Sequence, residues 1–470
     1  MKAIKQYLVS IEGLPSARVH DLIFREDGAR ALVSSLRHDA VEAMMLDNVD
    51  VRPGQRFELA DTDRDLYIGS QLFGRVVNAV CDTVDDAGAL PPKNTRLVLQ
   101  REAGHIAERA RVTEQLLSGY AMVDTVLPIG RGQRQLFMGP VQSGMDAFCR
   151  EVIQNQAGRD MVCVYVTVGK TPEQIDRLAT DLYSTAAKEY TCIVAGTSED
   201  TAPMNTIAPS VGLLIAELLA QDGKEVLVVL DDLYTHAKYL REIGLLEGKL
   251  PGREAYPGDI FFQQAHLIER AGSFGDRASI TLLPLLQTDP ESNTDLIMTN
   301  VMGTTDGHVS FSPVAFAQGQ FPPIVHEESV TRVGKHTQTT VQKQLSTAIV
   351  TLLGDAKEQE RYAQFGTQLS EATRDMINTA SIMHFLLDQV EGVRYDRDTQ
   401  TVLLALVFTT FATGKQVAFF EAHLSTLVSL VEQDALFADA RRAVSNAKSF
   451  SLFLNGLEKL VPKLQAACQA

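Results

Sequence analysis

Hydrophobic and polar positions change their spacing along the chain, and the first region has the pattern of a small β structure. Apolar runs such as residues 7–11 alternate there with turn signals at Gly13, Gly28 and Pro53-Gly54. Several short strands at this spacing are typical of a closed β architecture. The pattern therefore predicts an N-terminal β-barrel over residues 1–67.

In the central region, longer apolar runs alternate with helical stretches. The runs that we interpret as strands are residues 162–168, 192–195, 226–230 and 280–286. This alternation indicates a parallel sheet covered by helices on both faces. One helix start is well marked, because Thr171, Pro172 and Gln174 supply a cap, a first-turn proline and a capping-box glutamine. We predict an α/β domain over residues 68–345.

Helical periodicity dominates the last region, where β-type runs mostly disappear and few prolines precede Pro462. We predict a C-terminal α-helical bundle over residues 346–470. The fold class expected for the whole chain is therefore a multi-domain one, with barrel, α/β domain and helical bundle in that order.

Composition and charge narrow the classes of function. Hydrophobic residues make up 45% and charged residues 22%, as in ordinary globular proteins. The formal net charge of −16 argues against nucleic acid or an anionic membrane surface as the main partner. The five cysteines have no paired spacing, so we expect no disulfide framework and no metal site. We find no signal-peptide core and no apolar run of membrane-spanning length, so we expect a cytoplasmic protein.

A loop that contains two glycines follows the apolar run at residues 135–138, and a helical pattern comes after it. Residues 139–146 read GPVQSGMD. A phosphate-binding (Walker A) loop has two glycines at this spacing. They are followed by a lysine for the β- and γ-phosphates and by a Ser or Thr hydroxyl for magnesium. Two glycines alone carry no functional meaning, and that interpretation stays open for the isolated motif.

The two positions that should carry the chemistry of this loop are changed. Met145 stands where the lysine is expected, and Asp146 stands where the hydroxyl is expected. Asp146 places a negative charge at a helix N-terminus, where the phosphates would lie. We therefore predict a degenerate nucleotide-binding loop whose residues are Gly139, Gln142, Gly144, Met145 and Asp146.

An acidic strand end is the second element of this kind. Residues 225–232 read EVLVVLDD, an apolar strand that ends in acid. Asp231 has the position of a magnesium-orienting carboxylate in this class of fold. A strand followed by an acidic turn without function is the alternative interpretation.

Three further stretches carry a resemblance to the alpha subunit of F-type ATP synthases. They are residues 127–134 (LPIGRGQR), 251–259 (PGREAYPGD) and 329–334 (SVTRVG). Supporting matches are residues 72–77, 299–301 with 305–307, and 363–366. All of these stretches occur in one collinear order.

The resemblance implies a crown barrel, a RecA-like nucleotide-binding domain and a helical C-terminal domain. In the family, non-catalytic alpha and catalytic beta subunits alternate in a ring of six around a central gamma-type shaft. An alpha-subunit arginine reaches the neighbouring catalytic site, and it maps onto Arg332. We therefore expect Mg-ATP or Mg-ADP at the interface with the catalytic partner and none on this chain's own loop. The chain alone is not expected to be catalytic, and it would meet a membrane only through the complex.

Other positions depart from the family. Phe321 stands where an arginine usually lies near the bound base, and Lys170 stands where alpha subunits usually carry glutamine. Lys170 allows a rival idea, in which a relocated cation rescues phosphate binding. Family members also carry an extra segment before the barrel, whereas here the first strand is expected within about ten residues of Met1. The resemblance therefore does not extend to the segment that contacts the stator in the family, and attachment to a standard peripheral stalk stays an open question at this point.

Two alternative functions stay open. One is a pseudo-ATPase that serves as a scaffold or regulatory subunit, for which the retained Arg332 has no purpose. The other is a homo-hexameric ATPase of the secretion type, which would need its own loop lysine and a water-activating glutamate. Met145 and Lys170 argue against that second alternative.

Overall fold

The computed structural model describes residues 1, 3–59, 66–92, 94–99, 101, 104, 106–288, 296–364 and 370–468. The N-terminal region forms the strands β1 (Ala3–Lys5), β2 (Leu8–Ile11), β3 (Leu22–Arg25), β4 (Arg30–Leu36), β5 (Val41–Met45) and β6 (Phe57–Leu59). They make one antiparallel sheet of the half-barrel type, in the order β1-β2-β5-β4-β3-β6. Its core forms because alternate residues, such as Val41, Ala43 and Met45, point to the buried face.

The central region alternates strands and helices, as its apolar pattern predicts. In chain order the elements are β7 (Val76–Asn78), β8 (Gln115–Leu116), β9 (Ile129–Gly130), β10 (Gln135–Gly139), α1 (Met145–Gln154), β11 (Met161–Thr167), α2 (Pro172–Tyr183), β12 (Thr191–Ala195), α3 (Ala202–Gln221), β13 (Glu225–Asp231), α4 (Leu233–Leu246), α5 (Ile260–Glu269), β14 (Ile280–Gln287), α6 (Leu296–Thr304), β15 (Gly307–Phe311), α7 (Pro313–Ala317) and β16 (Ile324–Thr331).

The C-terminal region is helical in its described part. Its helices are α8 (Thr340–Gln364), α9 (Glu371–Leu387), α10 (Arg397–Leu406), α11 (Val417–Gln433), α12 (Ala435–Asn446), α13 (Phe450–Glu458) and α14 (Val461–Ala467). The predicted fold class is therefore confirmed, with an antiparallel sheet, an α/β region and a helical region in sequence. The predicted domain boundaries stay predictions. The one near residue 67 adjoins residues 60–65, which lie outside the described residues.

The chain divides into two compact units. The first comprises Met1–Arg111, Arg131–Val141 and Gln156–His308, and the second comprises Val112–Gly130, Gln142–Asn155 and Val309–Ala470. In the first unit, six parallel strands lie in the order β10-β14-β13-β11-β12-β7. The strand β11 is buried along its whole length, because helices cover the sheet.

Local sequence signals set the starts of several helices in this first unit. Thr171 caps α2, and a capping box joins it to Gln174 as the sequence predicts. Thr201 caps α3, which begins with a proline in its first turn. Among the described residues, α3 alone has the length and apolar composition of a membrane-spanning helix. Since 89% of the most apolar stretch of α3 is buried, α3 has the features of a core helix.

Candidate functional site

The glycine-containing loop joins a strand to a helix in the order that its sequence predicts. β10 ends at Gly139, and α1 begins at Met145 after Gly144, which has φ 76°. A Cβ atom at Gly144 would lie 2.6 Å from Cδ2 of Phe316. Glycine is therefore required at this position both by backbone conformation and by the neighbouring ring. Gln142 is exposed and has φ 63°.

The side chains at the start of α1 offer no cation to a phosphate. Met145 is buried, with 4% of its surface exposed. The Asp146 side chain is 61% exposed, and its Oδ2 lies 3.3 Å from Nη1 of Arg150 one turn later. A carboxylate in the first turn stabilises the helix by its interaction with the helix dipole. The carboxylate of Asp146 therefore already compensates the positive end of the α1 dipole.

In the first unit, the structure brings together two of the predicted site residues, Lys170 and Asp231. The Lys170 Nζ atom lies 2.8 Å from Oδ1 of Asp231, and the two side chains are 17% and 6% exposed. The other oxygen of Asp231 accepts a 3.0 Å hydrogen bond from the hydroxyl of Tyr165. Gly139 also belongs to the first unit, whereas Gln142, Gly144, Met145, Asp146 and Arg332 belong to the second.

Asp232 is a buried carboxylate that is not among the site residues predicted from the sequence. It caps α4, accepting hydrogen bonds from the backbone N–H of Tyr234 at 2.6 Å and the hydroxyl of Thr235 at 2.7 Å. Burial and the neighbouring Asp231 raise its pKa, and Lys170 counteracts this rise. An acid directly before a helical pattern is an N-cap signal, so local sequence could have identified this role.

In the second unit, Phe321 lies inside an aromatic cluster. Its side chain is 3% exposed, and its ring centroid lies 5.1 Å from that of Tyr120 and 6.1 Å from that of Phe148. The backbone of Phe321 is also held, because its N–H donates to Oδ1 of Asp388 and its carbonyl accepts from the N–H of Gln389, both at 2.7 Å. No local pattern of residues predicts this cluster, because its members are far apart along the chain.

The hydroxyl of Tyr120 is tied to α1. It donates a 2.7 Å hydrogen bond to Oε2 of Glu151 and accepts one from the N–H of Gly392 at 3.1 Å. Burial and the bond to Glu151 raise the pKa of Tyr120 far above its usual value. The phenol therefore stays protonated and acts as a fixed structural donor.

Arg332 lies immediately after β16, and its position is set by two buried neighbours. The Thr331 hydroxyl donates a 2.7 Å hydrogen bond to the carbonyl oxygen of Pro128. A Cβ atom at Gly334 would come within 1.7 Å of the same oxygen, so only glycine fits there. Two of the motifs that carry the family resemblance, residues 127–134 and 329–334, thus meet at this point.

The side chain of Arg332 is exposed. No hydrogen bond or ion pair joins its guanidinium to another residue in the part of the chain that the structure describes. An exposed cation on a firmly anchored strand end can bind an anionic group from outside the chain.

Comparison with known proteins agrees with this architecture. Residues 119–331 match the model of the ATP synthase alpha/beta family, nucleotide-binding domain. The ATP synthase subunit alpha of Dehalococcoides mccartyi is 30% identical over 457 residues, which cover 94% of this chain and 91% of that protein.

Two further relatives have the same description. The ATP synthase subunit alpha 1 of Rhodopirellula baltica is 33% identical over 395 residues, covering 83% of this chain and 78% of the relative. The ATP synthase subunit alpha 1 of Mycoplasmopsis pulmonis is 29% identical over 456 residues, covering 96% and 86%. The similarity to the Dehalococcoides mccartyi subunit extends over nearly the whole length of this chain and of that protein. The chain therefore belongs to the family of F-type ATP synthase alpha subunits.

Proposed function

We propose that this chain is the non-catalytic alpha-type subunit of a hetero-hexameric rotary ATPase and that it supplies Arg332 to the site of a catalytic beta-type neighbour. The observation that carries the proposal is the anchoring of Arg332. Its guanidinium is exposed and has no partner among the described residues, while the adjoining Thr331 is fixed to Pro128. A side chain that served only to stabilise this subunit would be expected to pair within it.

The chemistry of the proposed role follows from the properties of a guanidinium. During phosphoryl transfer, negative charge spreads over the γ-phosphate oxygens of the bound nucleotide. Arginine is always charged and presents several N–H donors in a rigid plane, so it can stabilise that charge from across an interface. Such residues contribute roughly 10³ to 10⁵ in turnover in other enzymes.

The residues of this chain do not fit a Mg-nucleotide of its own. Met145 supplies no charge and is buried, and Asp146 adds a negative charge at the start of α1. Phe321 is packed among aromatic rings, so it provides no polar contact for a base. We therefore propose that this subunit's own loop holds no nucleotide and that Mg-ATP or Mg-ADP binds at the interface with the catalytic partner.

The ring to which this subunit belongs would consist of alternating alpha-type and beta-type chains around a gamma-type shaft. The subunit would contact a membrane only indirectly, through the complex. A homo-hexameric ATPase would need a cation for the nucleotide phosphates in every subunit. It is disfavoured, because the ammonium of Lys170 is already paired with Asp231. A scaffold without a catalytic role is disfavoured by the exposed Arg332.

The test is ATP hydrolysis by the purified chain, by its catalytic partner and by the reconstituted ring. The chain alone should be inactive, the ring should be active, and Arg332→Ala should remove most of that activity. Arg56→Ala is the matched control, since Arg56 is also exposed but lies in the N-terminal sheet region. Full activity of the Arg332→Ala ring would contradict the trans-acting role, and hydrolysis by the chain alone would contradict its non-catalytic character.

A further inference from the structure

Lys170 follows β11 at a turn whose conformation is closely determined. Gly169 has φ 65°, and its N–H donates a 2.8 Å hydrogen bond to Oδ1 of Asn205. A Cβ atom at Gly169 would lie 2.9 Å from the hydroxyl of Tyr239. The backbone of Lys170 then forms a parallel bridge with Thr197, just beyond β12. The parallel sheet therefore sets the position of Lys170.

The ammonium of Lys170 reaches the end of the neighbouring strand. β11 and β13 are paired so that Thr167 lies opposite Asp231, which brings the ends of both strands to one edge of the sheet. The Lys170 Nζ to Asp231 Oδ1 distance is 2.8 Å, and both side chains are largely buried. The contact is an ion pair between the ammonium and the carboxylate.

The surroundings of Asp231 make this cation necessary. Asp232, the next residue, is also a buried carboxylate, and its oxygens are used in capping α4. The hydroxyl of Tyr165 donates to Asp231 but carries no charge. A buried carboxylate without a compensating positive charge is costly, and a second one beside it increases the cost.

We propose that Lys170 is a built-in counter-ion, which takes the place of the divalent cation that a carboxylate such as Asp231 would otherwise bind at this strand end. The site at the end of β13 is then balanced by the chain itself, without metal or nucleotide. The inference deepens the proposed function, because it rests on the proposal that this subunit's own site holds no Mg-nucleotide. It also favours this role for Lys170 over phosphate binding by a relocated cation, since the ammonium is already engaged.

The first measurement is thermal unfolding of the full isolated chain. Lys170→Gln leaves Asp231 without its cation and should lower the midpoint by roughly 5 °C or more. Asp231→Asn should also lower it, because the largely buried ammonium then loses the carboxylate charge that compensates it. The double variant should lose clearly less than the sum of the two single losses. Additive losses would overturn the proposal.

The second measurement uses MgCl₂ alone as the probe, without nucleotide. Millimolar Mg²⁺ should raise the midpoint of Lys170→Gln, because one carboxylate and water ligands suffice for weak Mg²⁺ binding. It should leave the wild type and the double variant unchanged, with NaCl at equal ionic strength as the salt control. An ordinary structural salt bridge would give no Mg²⁺ response. A Lys170→Gln chain that does not respond, or a wild type that responds equally, would therefore overturn the proposal.

Lys357→Gln is the matched control, because Lys357 also pairs with a carboxylate, that of Glu327, but is exposed. Its midpoint should barely change, as for most surface ion pairs, and it should not respond to Mg²⁺. These measurements need no catalytic partner. Failure here would therefore leave the role of Arg332 untouched, and failure of the Arg332 test would leave this result standing.

Discussion

The hydroxyl of Thr331 donates a hydrogen bond to the carbonyl oxygen of Pro128, across 203 positions of sequence and at a distance of 2.7 Å. Both residues are buried, whereas the next residue, Arg332, is exposed. The exposed guanidinium therefore projects from a backbone that is fixed on its inner side. Because this backbone is fixed before binding, Arg332 loses less conformational entropy when its side chain binds a partner.

Thr331→Val should weaken the anchoring of Arg332 while retaining the shape of the residue at position 331. Loss of the hydroxyl removes one hydrogen bond to Pro128, worth about 1 kcal/mol. We expect hydrolysis by the reconstituted ring to fall by about fivefold, which is much less than for Arg332→Ala. Thr331→Ser retains the hydroxyl and should keep most of the activity. Equal activity of the Val and Ser variants would show that the bond does not position the arginine.

Gly334→Ala should disturb the same anchor by steric conflict. The new Cβ atom would lie 1.7 Å from the carbonyl oxygen of Pro128, so the backbone has to move. We expect a lower midpoint of thermal unfolding and a loss of ring activity. Gly354→Ala is the control, because Gly354 lies in α8 with open space around it. That substitution should be neutral or slightly stabilising, so equal effects of the two variants would contradict the steric argument.

Arg332→Lys should recover little of the activity that Arg332→Ala removes. Lysine keeps the charge but lacks the planar set of donors that stabilises several phosphate oxygens at once. We expect ring hydrolysis to stay more than about tenfold below that of the wild type. Steady-state kinetics with saturating Mg-ATP measures this effect. A Lys variant close to wild type would indicate that charge alone is sufficient.

Phe321→Ala should destabilise the chain, because Phe321 fills the space between Tyr120 and Phe148. Removal of a buried phenylalanine costs roughly 3–5 kcal/mol in free energy of unfolding. Chemical denaturation followed by near-ultraviolet circular dichroism measures this loss. Phe262→Ala, at an exposed phenylalanine, should change stability little. Comparable losses for the two variants would argue against a packed cluster at Phe321.

Stability should fall as the pH drops from about 6.5 to about 4, and His236 should contribute to that fall. Burial lowers the pKa of His236 to about 4, and its Nε2 lies 3.0 Å from the carbonyl oxygen of Thr206. In this pH range the unfolded chain binds a proton on this histidine and the folded chain does not, so protons favour unfolding. The contribution amounts to roughly 3 kcal/mol between pH 7 and pH 4.

The variant His236→Gln measures that contribution. Denaturation midpoints across this pH range should have a shallower slope for His236→Gln than for the wild type. His38→Gln is the control, because His38 is exposed. An unchanged slope for His236→Gln would mean that His236 does not couple folding to pH.

Much of the architecture could be predicted from the sequence, because it depends on local periodicity and local hydrogen bonding. The buried run at residues 162–168 predicted the strand β11, and the capping box at Thr171 predicted the start of α2. The order of strand, loop and helix around Gly139 and Gly144 also followed from neighbouring residues. Met145 and Asp146 could be recognised as departures from the Walker A pattern, because a motif of fixed spacing shows differences from its pattern directly.

What the sequence by itself determined is therefore the order of the regions, the local elements and the chemical character of each motif position. Only the tertiary structure decided which of these positions meet. Lys170 pairs with Asp231 because a parallel sheet brings the ends of distant strands to one edge. Phe321 packs against Tyr120, and Thr331 donates a hydrogen bond to Pro128, because folding brings these distant segments together. Such contacts arise from packing between segments far apart in the chain, so no local pattern of residues predicts them.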